Sequence, residues 1–241
     1  MPREPQKPTQ HAPGPPHNPG LRKLIEHKRQ WHHPPDRAEE ERGFLGWHER
    51  GYLPHCDAPH VTQFVTFMLH DAFPVTRRRE WEPILHEPDE SIRRKKLEEW
   101  LDRGHGECWL QRPDIATSVE GIVCEDDGRT CRLQAWVVMP NHVHLVVDVW
   151  ETPLSRLLNL WKGRSARQAN RMLGRRGRFW ERESFDTLIR DAGHLGRAMR
   201  YTENNPVKAG FVSTRGNWRW SGARLRDAFG RLPWQCEQPS A

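Results

Sequence analysis

Apolar positions along the chain fall into blocks of two different periods. HVTQFVTFML, from His60 to Leu69, is dense in β-branched and aromatic residues and predicts a strand. In DESIRRKKLEEWLDRG the period lengthens: Ile92, Leu97, Trp100 and Leu101 recur at roughly helical spacing, and Gly104 is placed to stop a helix. DIATSVEGIVCED predicts a second helix with Asp114 as its cap. DDGRTCRLQAWVVMPNHVHLVVDVW reads as two strands joined by a short Pro-Asn turn, an antiparallel hairpin. Thr152 and Pro153 then supply a cap and first turn for LSRLLNLWKGRSARQANRML, whose apolar stripe is Leu154, Leu157, Leu158 and Trp161. RRGRFWERESFDTLIRD reads as loop with a short strand. AGHLGRAMRYTEN reads as a last helix, started by Asp191 and stopped by Pro206, and NWRWSGARL as an aromatic closure. The elements form no regular βαβ series, so the expected class is α+β, an antiparallel sheet with helices packed on one face.

Composition changes this picture at the ends. A chain of 241 residues with 35% hydrophobic positions, 18 glycines and 20 prolines accommodates one ordinary domain and a poorly packed remainder. Residues 1–45, rich in Pro, His and charge, are expected to form a disordered or loosely docked arm; 46–230 form the domain and 231–241 a tail. Histidines 11, 17, 27, 32 and 33 are read as solvated side chains of that arm. The formal charge of +6 favours an anionic partner, nucleic acid before membrane. No apolar run is long enough to cross a bilayer and no signal-peptide core opens the chain, so the cytosol is the expected compartment. The five widely spaced cysteines contain no CxxC pair and are expected to be free thiols, not a disulfide framework or a thiolate zinc site.

The candidate chemistry begins in the hairpin. On a strand, His142 and His144 point to one face and Val143 to the other, so both imidazoles can reach one cation. Two neutral imidazoles leave coordination positions open for water and substrate, as a catalytic metal requires. The alternative is a pair of ordinary strand histidines. Tyr201 and Asn205 stand four residues apart and, on a helix, share a face. The phenol would be a nucleophile and the carboxamide oxygen a third, hard ligand. Against this, Pro206 disfavours a helical Asn205, which would instead cap a short turn, NPVKAG, ending at Gly210. A phenol is a weak nucleophile unless a cation offsets the charge developing at the phosphorus. Its product, a covalent phosphotyrosine, conserves the bond energy for rejoining strands. Arg164, Arg167 and Arg171 line the helix face opposite the leucines, and Arg175, Arg176 and Arg178 continue the charge. They are either a phosphate-binding stripe or a solvated face. Phe179, Trp180, Trp218 and Trp220 are read as core before base-stacking platforms.

VVMPNHVHLVV, RFWERESFDTLIRD, YTENNPVKAGFV and NWRWSGARL occur here in the order found in REP-associated tyrosine transposases, and the sequence resembles that branch of the single-tyrosine HUH superfamily from about Gly46 to Trp220. The resemblance implies a ferredoxin-like α+β core with the HUH motif on a central strand and a divalent metal, Mg²⁺ or Mn²⁺. It also implies cleavage of single-stranded DNA beside hairpins of palindromic repeats, through a 5′-phosphotyrosine, in a nucleoid-associated protein acting as a monomer or homodimer. His142 and His144 match its HUH histidines, Tyr201 its nucleophile and Asn205 a third ligand. The sequence departs from the pattern in TEN after Tyr201, where Glu203 either reaches the metal or, by default, faces solvent, and in the charged stretch 71–112, which reads as an insertion, either DNA-contacting or neutral.

Overall fold

The computed structural model describes residues 34–49 and 54–236. In chain order the helices and strands are α1 (Arg37–Arg42), β1 (Gly46–Glu49), β2 (Pro54–Asp57), β3 (Val61–Leu69), α2 (Arg78–Leu85), α3 (Glu90–Asp102), α4 (Pro113–Cys124), β4 (Cys131–Val138), β5 (His142–Val149), α5 (Leu154–Met172), β6 (Trp180–Leu188), α6 (Ala192–Lys208) and α7 (Pro233–Cys236). The main sheet has the order β4-β5-β3-β6, all antiparallel, and β1 and β2 form a separate ribbon. With α4 between β3 and β4 and α5 between β5 and β6, this is the βαββαβ connectivity of a ferredoxin-like sheet.

Both faces of the sheet are covered, which is why every residue of β5 but Asp148 is buried. On one face Val143, Leu145 and Val147 of β5 and Val65 and Phe67 of β3 pack against Ile115 and Val119 of α4 and Leu154, Leu157, Leu158 and Trp161 of α5. The other face carries Phe64, Ala135 and Val146 under Ala198 and Tyr201 of α6, with Met68 and Phe185 under Leu97, Trp100 and Leu101 of α3. Helices on two faces, not one, correct the expectation from the sequence. The stretch 71–112 is folded and is built onto the sheet. Trp100 donates its indole N–H to the Ala72 carbonyl at 2.8 Å. Gly106 has φ +89°, and a Cβ there would fall 2.7 Å from the Asp71 carbonyl oxygen, so the segment closes only with glycine.

Several local expectations are corrected. Part of the 1–45 segment is folded: α1 has a capping box between Asp36 and Glu39, and Phe44 is buried in the main core. Residues 1–33, including the five histidines, lie outside the described residues. At the other end Leu232 is buried and Trp234 packs on the core, so packing runs past 230. Helix α4 begins with Pro113 at its first position, and Asp114 pairs with Arg112 instead of capping. The residue before α5 is Pro153, with no side-chain cap from Thr152. FWERESFDTLIRD contains the nine-residue edge strand β6. Helix α6 does not stop at Pro206 but continues to Lys208, where a missing N–H near the last turn removes little bonding. Phe179 and Trp180 are core, as expected. Trp218 and Trp220 are half-buried and close the β4 edge: the Trp218 indole donates to the Val138 carbonyl, and the Trp220 carbonyl accepts from the Val138 N–H.

Candidate functional site

The sheet register places the two histidines. His142 stands beside Met68 and His144 beside Thr66, on the face that α3 and α6 cover. Each ring is fixed from behind by its Nδ1. That of His142 meets Asn141 Oδ1 at 2.8 Å, and that of His144 meets Thr66 Oγ1 at 2.7 Å. The Asn141 amide is itself oriented, because its Nδ2 donates to the Leu101 and His105 carbonyls, both at 3.2 Å. Its Oδ1 must therefore accept, His142 carries its proton on Nδ1, and the His142 Nε2 lone pair is left bare. The two Nε2 atoms face each other at 3.0 Å. Both residues are 1% exposed. Burial, with help from Lys208, lowers the His142 pKa to about 3, and burial and its neighbours hold His144 well below the ordinary range, so both rings are neutral.

Helix α6 brings the other two residues to the same place. Because the helix runs through Pro206, Tyr201 and Asn205 do share a face. Asn205 Nδ2 lies 3.1 Å from the Tyr201 hydroxyl and 3.4 Å from His144 Nε2. Asn205 Oδ1 is buried with no hydrogen-bond partner. A half-turn of the amide would exchange the two atoms, putting an oxygen donor toward His144 and the phenol. The bare His142 Nε2, the His144 Nε2 once that ring carries its proton on Nδ1 toward Thr66, and the orphaned carboxamide oxygen form a donor set that fits a divalent cation. Among the described residues there is no group of three or more His, Cys, Asp and Glu that could hold one. Nitrogen-rich ligation suits Mn²⁺ better than Mg²⁺.

The surroundings of Tyr201 are set by α3. Glu98 faces the phenol; burial and the charges of Glu98 and Asp102 push the Tyr201 pKa up. Burial also raises Glu98, against the pull of Arg94. Lys208 lies 5.8 Å from the Tyr201 ring centroid and pairs with Asp102 at 2.8 Å, tying α6 to α3. Arg94 stacks over Phe64 at 5.6 Å. A small cavity of about 30 Å³ lies on one side of this pair, lined by Thr66, Glu98 and His144. On the other side a cleft of about 500 Å³ opens, lined by Arg94, Arg190, Asp191, His194, Arg197 and Tyr201.

The predicted arginines fall elsewhere. Arg164, Arg167 and Arg171 lie on α5, which packs on the sheet face opposite His142, His144 and Tyr201. Arg164 is paired with Glu125, Arg178 with Glu181, and Arg175 donates to the Arg178 carbonyl. Arg167, Arg171 and Arg176 are exposed. Glu203 does not face solvent: it is 1% exposed and paired with Arg226 and Arg215. The basic residues around Tyr201 were missed, although the sequence carried a signal. His194, Arg197 and Tyr201 follow at intervals of three and four, which aligns them on one face of the helix, and Arg190 stands just before its cap. Thr66 left no such signal, since its partner is 78 residues away.

Residues 113–205 match the family model described as "Transposase IS200 like". Among solved structures, a REP-associated tyrosine transposase bound to a REP hairpin aligns with TM-score 0.47 and 17% identity over 80% of this chain and 92% of that one. A Deinococcus radiodurans R1 protein described as a candidate transposase aligns with TM-score 0.33 and 15% identity over 66% of this chain and 96% of that one. No curated protein sequence matches. Among the described residues, no helix is long and apolar enough to cross a membrane.

Proposed function

We propose, from the match of residues 113–205 to the IS200-like transposase family model, that the chain is a metal-dependent endonuclease and strand transferase acting on single-stranded DNA beside hairpins. One observation carries the reading: the Tyr201 hydroxyl lies 3.1 Å from the amide of Asn205, whose nitrogen is 3.4 Å from the converging His142–His144 pair. Nucleophile and ligand set thus form one cluster although separate elements supply it.

A divalent cation, Mg²⁺ or Mn²⁺, held by Nε2 of His142, Nε2 of His144 and Oδ1 of Asn205 would supply Lewis-acid polarisation of the scissile phosphate. Asn141 and Thr66 hold the imidazoles in position from behind. The Tyr201 oxygen forms a bond to the phosphorus while the bond to the 3′-oxygen breaks. This leaves a 5′-phosphotyrosine and a free 3′-hydroxyl, and the reverse attack by a 3′-hydroxyl rejoins a strand without ATP. With its pKa pushed up by burial and Glu98, the phenol must lose its proton as it attacks.

A second reading, a nucleic-acid binder without catalysis, draws on the near-complete burial of both histidines beneath the sheet's covering helices. Incubating the protein with a 3′-labelled hairpin oligonucleotide and Mn²⁺, then running denaturing gels, separates the two, because the 3′ fragment is the one that stays on the tyrosine. The transposase reading requires a covalent protein–DNA adduct that Tyr201→Phe removes. Binding with no adduct under any divalent ion would leave the non-catalytic reading.

A further inference from the structure

We infer that the cleft lined by Arg94, Arg190, His194 and Arg197 is the track along which the sugar-phosphate backbone of single-stranded DNA runs to Tyr201. The inference rests on the functional reading above and adds where the strand lies. The cleft has a volume of about 500 Å³, large enough for part of a polymer. Its inner wall is Tyr201, Ala198 and Phe64, so it ends at the proposed nucleophile. Three guanidiniums and an imidazole line it beside one lining carboxylate, Asp191, with Arg94 also paired to Glu98 at 3.4 Å behind the lining. Asp191 is engaged as the cap of α6, accepting from the His194 N–H at 2.7 Å. Positive charge therefore exceeds negative charge along the lining, and a chain of phosphates would balance it.

Arg190 and Arg197 are exposed, and Arg94 belongs to the inserted α3. The track is thus assembled from two parts of the chain, the α6 entry and the 71–112 insertion. The competing path is the arginine face of α5, on the far side of the sheet.

Fluorescence anisotropy of a labelled oligo-dT with the full chain, across a salt series, tests this. The Arg190→Glu/Arg197→Glu double variant should bind at least about tenfold more weakly. Its log K against log salt should flatten by about 0.7 for each phosphate that the variant no longer neutralises. An unchanged thermal melt shows that the variant is folded. Arg167→Glu/Arg171→Glu forms the competing arm. If the loss comes from that pair alone, or equally from both pairs, the cleft assignment is overturned. An RNA oligonucleotide that is bound more tightly than DNA and loses affinity in the cleft variant would overturn the DNA assignment. The adduct assay is read separately. Wild-type adduct with no effect of the cleft variant on binding sinks only the track, and no wild-type adduct with weakened variant binding sinks only the catalytic reading.

Discussion

Asn141 Oδ1 accepts the Nδ1 proton of His142 at 2.8 Å, and so decides which nitrogen of that ring is free. Asn141→Leu removes the acceptor and lets the ring change tautomer. Mn²⁺ affinity should fall about 10–100-fold, the usual cost of losing such a partner. Asn141→Asp, which keeps an acceptor oxygen, should recover much of it. Titration calorimetry with Mn²⁺ reads both; equal affinities for wild type and Leu variant would mean that the amide serves only the loop.

His144→Ala should abolish hairpin cleavage, by about a hundredfold or more, with oligonucleotide affinity within a few-fold of wild type. The distinction matters because His144 lines the small cavity and not the basic cleft. A variant that still forms adduct at the parental rate would remove the imidazole pair from the chemistry.

Glu203→Ala should lower stability by about 3–5 kcal/mol, because it strands the Arg226 guanidinium, 6% exposed, without its partner. Differential scanning calorimetry should show a clear drop in Tm. If Tm holds, Arg226 finds enough in the Gln134 and Gly230 carbonyls, which it already touches.

His55 is buried between Asp186 and Glu183, its Nε2 3.3 Å from Glu183. Burial opposes its charge, but Asp186 and then Glu183 outweigh burial and raise its pKa to about 9. A folded pKa above the unfolded value near 6.5 means that the stabilisation is complete below pH ~6.5 and lost as pH rises through about 9. The loss should be on the order of 3 kcal/mol. Urea unfolding at pH 6 and pH 10 should show it in wild type and not in His55→Leu; parallel pH profiles for the two would exclude this triad as the cause.

What could be read from the sequence follows its local periodicities. Strand β5, with both histidines on one face, follows from alternation alone, and the stripe of α5 from Leu154 to Trp161 from helical spacing. Pairing Tyr201 with Asn205 required the helix to pass through Pro206, which local rules disfavour. Packing of Ala198 and Tyr201 on the sheet outweighs one missing hydrogen bond. Which side of the sheet each helix takes was not legible, because α5 and α6 are both amphipathic and basic on their outer faces. Only the register of β5 settles that the leucines of α5 meet Val143 and Leu145 while Tyr201 meets His144. Helix α3 was legible from the spacing of Leu97, Trp100 and Leu101, but not that these residues seat it on the sheet beside the histidines.

The placement of α5 and α6 on opposite faces sets a minimum contour for any bound polymer. A strand touching both Arg171 and Tyr201 cannot pass through the three stacked layers, roughly 30 Å of helix, sheet and helix. It has to travel around a rim, and the β4 rim is already occupied by the Trp218–Ser221 stretch. The β6 rim is covered in turn by β2, whose His55 and Cys56 bond to Asp186, so only an oligonucleotide long enough to clear the edge of the domain can engage both at once, and short substrates would report on the Tyr201 side alone.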